Sequence, residues 1–204
     1  AVELERATLL AKTDLTTGMV TEFNELQGVM GKEYALLDGE SPEVAEAIFE
    51  QYLPRFAGDV LPKTDTGKVL SIIDKVDNIV ATFSRGLIPT GSQDPYALRR
   101  QTIGILNILL ESKWNVNLGP IFVAAMNLLN VPADKQAELQ VQLEEFFTLR
   151  LKNIYLDRQI PHHVIDLLLS NTALSVADAE GLANAVMNNR IDENVELVQA
   201  YTRM

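Results

Sequence analysis

"PTGSQDPYALRR", Pro89 to Arg100, sets four turn formers ahead of an Asp-Pro pair and then places two adjacent arginines on the stretch that follows. Asp94 can accept the free backbone N–H groups of a first helical turn, and Pro95 suits the first helical position because its missing donor has no partner there. Leu98, Ile105 and Leu109 then recur at helical spacing, with Thr102 completing the i, i+4 series. The spacing predicts a helix capped by Asp94. Adjacent helical residues lie about 100° apart, so Arg99 and Arg100 cannot both pack inward. At least one faces water or a partner, or pairs with a neighbouring carboxylate.

Outward from this helix the same period recurs. Leu4, Ala7, Ala11, Leu15, Met19 and Phe23 step by three or four and read as one amphipathic helix. Asp38-Gly39 reads as a turn, Ser41 as a helix cap with Pro42 in the first turn, and Pro54 as the stop. Residues 55–67 read as a loop. Val69, Ile72, Ile73, Val76, Ile79, Val80 and Phe83 predict a further, largely buried helix. "ESKWNVNLGP", Glu111 to Pro120, mixes Asn, Gly and Pro and marks the expected domain boundary. More helices are expected near Pro120, Ala133, Pro161, Ser175 and Asp192. No run alternates with period two for long enough to need a strand, so the expected fold class is all-α.

Composition narrows the function classes. The chain of 204 residues carries 17 basic and 28 acidic side chains, a formal net charge of −11. That balance opposes unaided binding to nucleic acid, so any polyanion contact must be local. Arg85, Arg99 and Arg100 flank the Pro89 loop with only Asp94 between them, which makes it the most electropositive stretch. The chain has no cysteine, which excludes disulfides and thiolate metal sites and makes the cytoplasm the expected compartment. The longest apolar runs fall short of the roughly 20 residues that cross a bilayer. The first residues are already helical in pattern and lack a methionine, so the chain reads as a piece of a longer polypeptide.

Few motifs point to chemistry. His162 and Asp166 stand four apart on a predicted helix, but no third ligand completes a tetrahedral set, and His162 and His163 read as helix-start residues. Asp14, Asp74 and Asp77 lie on otherwise apolar stretches, where converging carboxylates would suit a divalent cation. Caps, salt bridges to Lys12 or Lys75, or hydrogen bonds to a loop account for them more simply, because no histidine lies near them in sequence. "GDVLPKTDTGK", Gly58 to Lys68, lacks the first glycine and the closing Ser/Thr of a phosphate-binding loop, and no nucleophile elbow is present.

Longer blocks are more specific. "AKTDLTTGMVTEFNELQGVMGKEYA", "EQYLPRFAGDVLP", "IDKVDNIVATFSRG" and "PTGSQDPYALRRQTIGILNIL" stand in an order that resembles the β subunit of bacterial glycyl-tRNA synthetase, from about Leu4 to Leu118. The resemblance implies part of a two-type-subunit heterotetramer in which the α subunit carries the ATP- and Mg²⁺-dependent adenylation site and the β subunit holds tRNA. It also implies that residues 1–115 form a degenerate domain similar to HD-type phosphohydrolases, with residues 116–204 a second, small helical linker or body region. In the HD pattern a His, a His-Asp doublet and a later Asp hold a metal. Thr13 and Asp14 stand where the doublet would be, Asp74 stands at the last Asp, and both histidines are missing. His162 and His163 follow Asp74, in the wrong order to replace them. With two of four ligands lost, metal binding is expected to be poor.

The expectation from the resemblance is therefore a segment with no catalytic residue, no bound cofactor and no metal. It aids positioning of glycine tRNA for the α subunit, with Arg55, Lys75, Arg85, Arg99 and Arg100 as tRNA-binding candidates. Arg99 and Arg100 could instead pair with Asp74 or Asp77. Two alternatives remain: a residual metal-dependent phosphohydrolase using Asp14 and Asp74, and a structural spacer between subunits whose arginines are internally paired.

Overall fold

The computed structural model describes residues 2–91, 93–114 and 116–170, and the regular structure in them is helical throughout, with no strand among the described residues. The fold class is all-α. The helices expected near Ser175 and Asp192 lie outside the described residues. The chain divides into two compact units, Ala1–Ile108 and Leu109–Met204.

In the first unit, α1 (Val2–Leu10), α2 (Gly18–Glu22), α3 (Val29–Leu37), α4 (Pro42–Glu50) and α5 (Asp65–Ser84) precede α6 (Leu98–Ser112), whose residues up to Ile108 belong to this unit. Two 3₁₀ turns, Thr13–Thr16 and Asn24–Leu26, link the early helices. The single amphipathic helix expected from Leu4 to Phe23 does not form. Lys12 takes left-handed backbone angles, φ 61°, and ends the first stretch. Asp14 then turns inward, while Leu15, Met19 and Phe23 stay exposed. Local bonding of a buried carboxylate has overridden a weak apolar period.

Helix α3 had no clear sequence signal, and its ends explain how it forms. Gly28, φ 81°, precedes it, and Gly39, φ 85°, follows it. Glu40 N–H reaches Ala35 O at 2.9 Å and Gly39 N–H reaches Leu36 O at 3.2 Å, the paired bonds of a glycine-terminated helix end. Ala7, Ala35, Val44, Ala45, Ala47, Ile48 and Leu70 form a shared core of α1, α3, α4 and α5, in which four alanines pack around the larger Ile48 and Leu70.

Helix α4 starts as the sequence predicts, with the Ser41 hydroxyl accepting Val44 N–H. It stops at Glu50, before Pro54. Glu50 is buried, and its carboxylate accepts Lys63 N–H at 2.6 Å and Thr64 N–H at 3.1 Å. A negative group is thus fixed beside the start of α5, where free N–H groups and the helix dipole favour it. Any side chain at Gly67 would meet this carboxylate, since a Cβ there would lie 2.1 Å from Glu50 Oε2. Helix α5 buries most of the apolar set expected of it, but Ile73 is exposed.

The second unit begins at Leu109 with the end of α6, followed by α7 (Leu118–Leu128), α8 (Ala133–Asp157) and α9 (His162–Ser170). Asn117 caps α7 by accepting Gly119 N–H at 3.0 Å. Phe122 of α7 and Phe147 of α8 pack with ring centres 5.0 Å apart. His162 and His163 are exposed, and Asp166 is engaged by Lys152 at 2.8 Å, which holds its carboxyl below the usual range.

Candidate functional site

The stretch that opens α6 is a cap, in a different register from the one expected. Asp94 Oδ1 accepts Leu98 N–H at 2.8 Å and Oδ2 accepts Arg99 N–H at 3.0 Å. The helix therefore starts at Leu98, and Pro95 sits in the preceding turn instead of the first helical position. Ala97, φ 54°, makes the reversal. This seats Leu98 and Thr102 inward, with the Thr102 hydroxyl bonded to Leu98 O at 2.9 Å.

The two arginines diverge. Arg99 is half-buried, and its guanidinium donates to Gly91 O at 2.6 Å, which ties the loop to the helix. Arg100 is exposed and makes no side-chain bond to any described residue. Neither pairs with Asp74 or Asp77. Arg85, at the end of α5, is likewise exposed and unpaired among the described residues.

The other two candidates are engaged. Arg55 grips Asp59 through Nε at 2.8 Å and a terminal nitrogen at 3.2 Å, and its backbone N–H joins at 2.9 Å. The Arg55 hydrogen bonds pull the Asp59 carboxyl down to about 2. Lys75 is 5% exposed, and its ammonium donates to Gln51 O at 3.1 Å, Leu53 O at 2.8 Å and Ser71 Oγ at 2.7 Å. An ammonium has three donors, so all are spent inside the protein and none is left for a phosphate. Burial lowers the Lys75 pKa to about 8, against a smaller raising effect of Asp74.

The positions that the resemblance aligned with the HD pattern are engaged within the chain. Thr13 donates its hydroxyl to Leu10 O at 2.8 Å. Asp14 is 1% exposed, and both its oxygens are taken, Oδ2 by Gly28 N–H at 2.6 Å and Oδ1 by the Tyr52 hydroxyl at 2.8 Å. Burial first, and then this bond to Asp14, push the Tyr52 hydroxyl above its usual pKa. Asp74 is ion-paired with Lys12. An internal cation and two neutral donors thus occupy the carboxylates that a metal would need. No group of three or more His, Cys, Asp or Glu able to hold a metal occurs among the described residues.

These residues border a cleft of about 540 Å³ on the first unit. Lys12, Arg55, Asp74 and Lys75 contribute engaged charges to its lining, and Arg100 contributes a free one. Tyr52, Phe56 and Tyr96 add aromatic surface, and Gln51 and Gln101 add amides. Sequence reasoning found the charged residues through their sparseness in an acidic chain. It missed the aromatic and amide lining, because those residues come from separate segments and share no motif.

Residues 1–170 match the family model described as "Glycyl-tRNA synthetase beta subunit". The glycine–tRNA ligase β subunit of Clostridioides difficile is 50% identical over 202 residues, covering 98% of this chain and 29% of that protein. Those of Desulforamulus reducens and Syntrophotalea carbinolica are each 50% identical, over 205 and 189 residues, covering 98% and 90% of this chain and 29% and 28% of theirs. The chain thus spans about three tenths of the length of these curated relatives. No described helix is long and apolar enough to cross a membrane. The chain belongs to the glycyl-tRNA synthetase β-subunit family.

Proposed function

We propose that this segment helps to hold glycine tRNA while an α subunit, using ATP and Mg²⁺, performs the aminoacylation, and that the segment itself contributes no reacting group. Such an assembly would work in the cytoplasm, with the α subunit and the tRNA as its partners. The observation that carries the reading is the contrast among the arginines. In a chain of net charge −11, Arg85 and Arg100 stand exposed without partners among the described residues, while Arg55, Lys75 and Arg99 are committed internally. A guanidinium presented without a counter-charge suits phosphate, to which its planar fork donates two bonds at once.

The test is aminoacylation by the full α/β enzyme carrying Arg85→Ala and Arg100→Ala. A contact that only holds tRNA should raise KM for tRNA severalfold and leave KM for glycine and ATP unchanged. Unchanged KM for tRNA would remove the reading.

A further inference from the structure

Arg100 shares the cleft of the first unit with exposed aromatic surface. Phe56 is 55% exposed and Tyr96 is 50% exposed, and both line the cleft with it. The backbone that carries them is held from nearby. Ala97 N–H bonds Asp94 O at 3.0 Å, closing the turn that contains Tyr96, and the Asp94 carboxylate caps the first turn of α6, which contains Arg100. The Arg55 guanidinium, held by Asp59, lies 5.7 Å from the centre of the Phe56 ring. Rings and a cation on one concave surface suit a ligand that stacks and carries negative charge.

Charge narrows the ligand. Lys12 is paired with Asp74 and Arg55 with Asp59, which leaves Lys75 and Arg100 against Glu25 in the lining. The Lys75 ammonium bonds only neutral oxygens among the described residues, so its charge adds to the field in the cleft although its donors are spent. Arg100 keeps its donors for direct contact. So small a positive excess suits one phosphate, and the exposed carboxylate of Glu25 works against a chain of them. Arg85 does not line this cleft, so any phosphate it meets is a different one.

We propose that this cleft takes one unpaired nucleotide, its base stacked on Phe56 and Tyr96 and its single phosphate on Arg100. Every base has a face that can stack, so the site holds the nucleotide without reading which base it is. The inference rests on the tRNA-holding reading for its natural source, an unpaired nucleotide of the bound RNA. A free nucleoside monophosphate offers the same chemistry.

Ligand-detected NMR on the full α/β enzyme tests it with GMP and UMP. Both should bind, within about tenfold of one another. Tyr96→Leu and Phe56→Leu should each weaken GMP by about fivefold or more, in line with the loss of a stacking partner. Tyr96→Phe and Phe56→Tyr keep a ring and should leave GMP binding unchanged, which a role in folding alone would not explain. Arg100→Gln should weaken GMP severalfold and leave guanosine binding unchanged. Displacement of GMP by glycine tRNA would assign the site to the RNA, and retention of GMP on tRNA-saturated enzyme would assign it to a free nucleotide. GMP binding that both leucine variants leave unchanged, or no GMP binding in the millimolar range, overturns the site whatever the tRNA kinetics show. GMP binding weakened by the leucine variants, with unchanged KM for tRNA in the arginine variants, would instead sink the tRNA-holding reading alone.

Discussion

The backbone N–H of Gly28 donates to the buried carboxylate of Asp14 at 2.6 Å, which joins the turn after α1 to the start of α3. The same carboxylate receives the Tyr52 hydroxyl beyond the end of α4. One side chain therefore holds together three segments that are distant in sequence. A carboxylate that the family resemblance set at a metal-ligand position works here as an internal clasp.

Asp14→Ala should accordingly destabilise the chain by about 2–4 kcal/mol, because it leaves a buried N–H and a hydroxyl without an acceptor. Tyr52→Phe should cost less, about 1 kcal/mol. Urea unfolding of both variants and of the double variant measures the coupling, which should exceed experimental error because the groups touch. Adding Mn²⁺ or Mg²⁺ should leave the wild-type melting temperature unchanged. A metal-dependent rise abolished by Asp14→Ala would restore the metal reading.

Glu50 and Gly67 supply a second prediction. Gly67→Ala should destabilise by about 1–3 kcal/mol through overpacking, because the new Cβ would fall on the Glu50 carboxylate. In the Glu50→Ala background the same change should cost much less, since the obstructing group is gone. Equal costs in the two backgrounds, measured by denaturant unfolding, would show that the close approach is relieved in some other way.

Lys75 predicts a pH dependence. Its pKa falls from 10.5 to about 8 in the folded chain, so between these values the unfolded chain holds more protons than the folded one. Stability from this group therefore rises as pH rises through that window, and below about 8 the buried charge is a standing cost. Lys75→Met should lack this rise, so the stability of the wild type relative to the variant should improve from pH 8 to 10 by about 1–3 kcal/mol. A difference that is flat across this range would place the Lys75 titration outside it.

Much of the helical plan was legible because its signals are local. Ser41 before Pro42, the Asp94 carboxylate ahead of Leu98, and the wide apolar face of α5 each act within a few residues. The breaks were not legible, because they depend on distant partners. Nothing near Lys12 announces that Asp14 will turn toward Gly28 and Tyr52, and nothing in Glu50 announces that it will serve the start of another helix. Among the site candidates, sequence could rank basic residues by charge alone. Burial then separated Lys75, whose donors all point inward, from Arg100, whose donors point at no described group.

The most direct test of the central claim is filter binding of glycine tRNA to the full α/β enzyme across a salt series, comparing wild type with the Arg85→Ala/Arg100→Ala double variant. Each lost phosphate contact reduces the slope by roughly 0.7 to 0.9, so two contacts should reduce it by roughly 1.4 to 1.8 while the melting temperature stays unchanged. An unchanged slope with the fold intact would contradict the account and place the tRNA elsewhere.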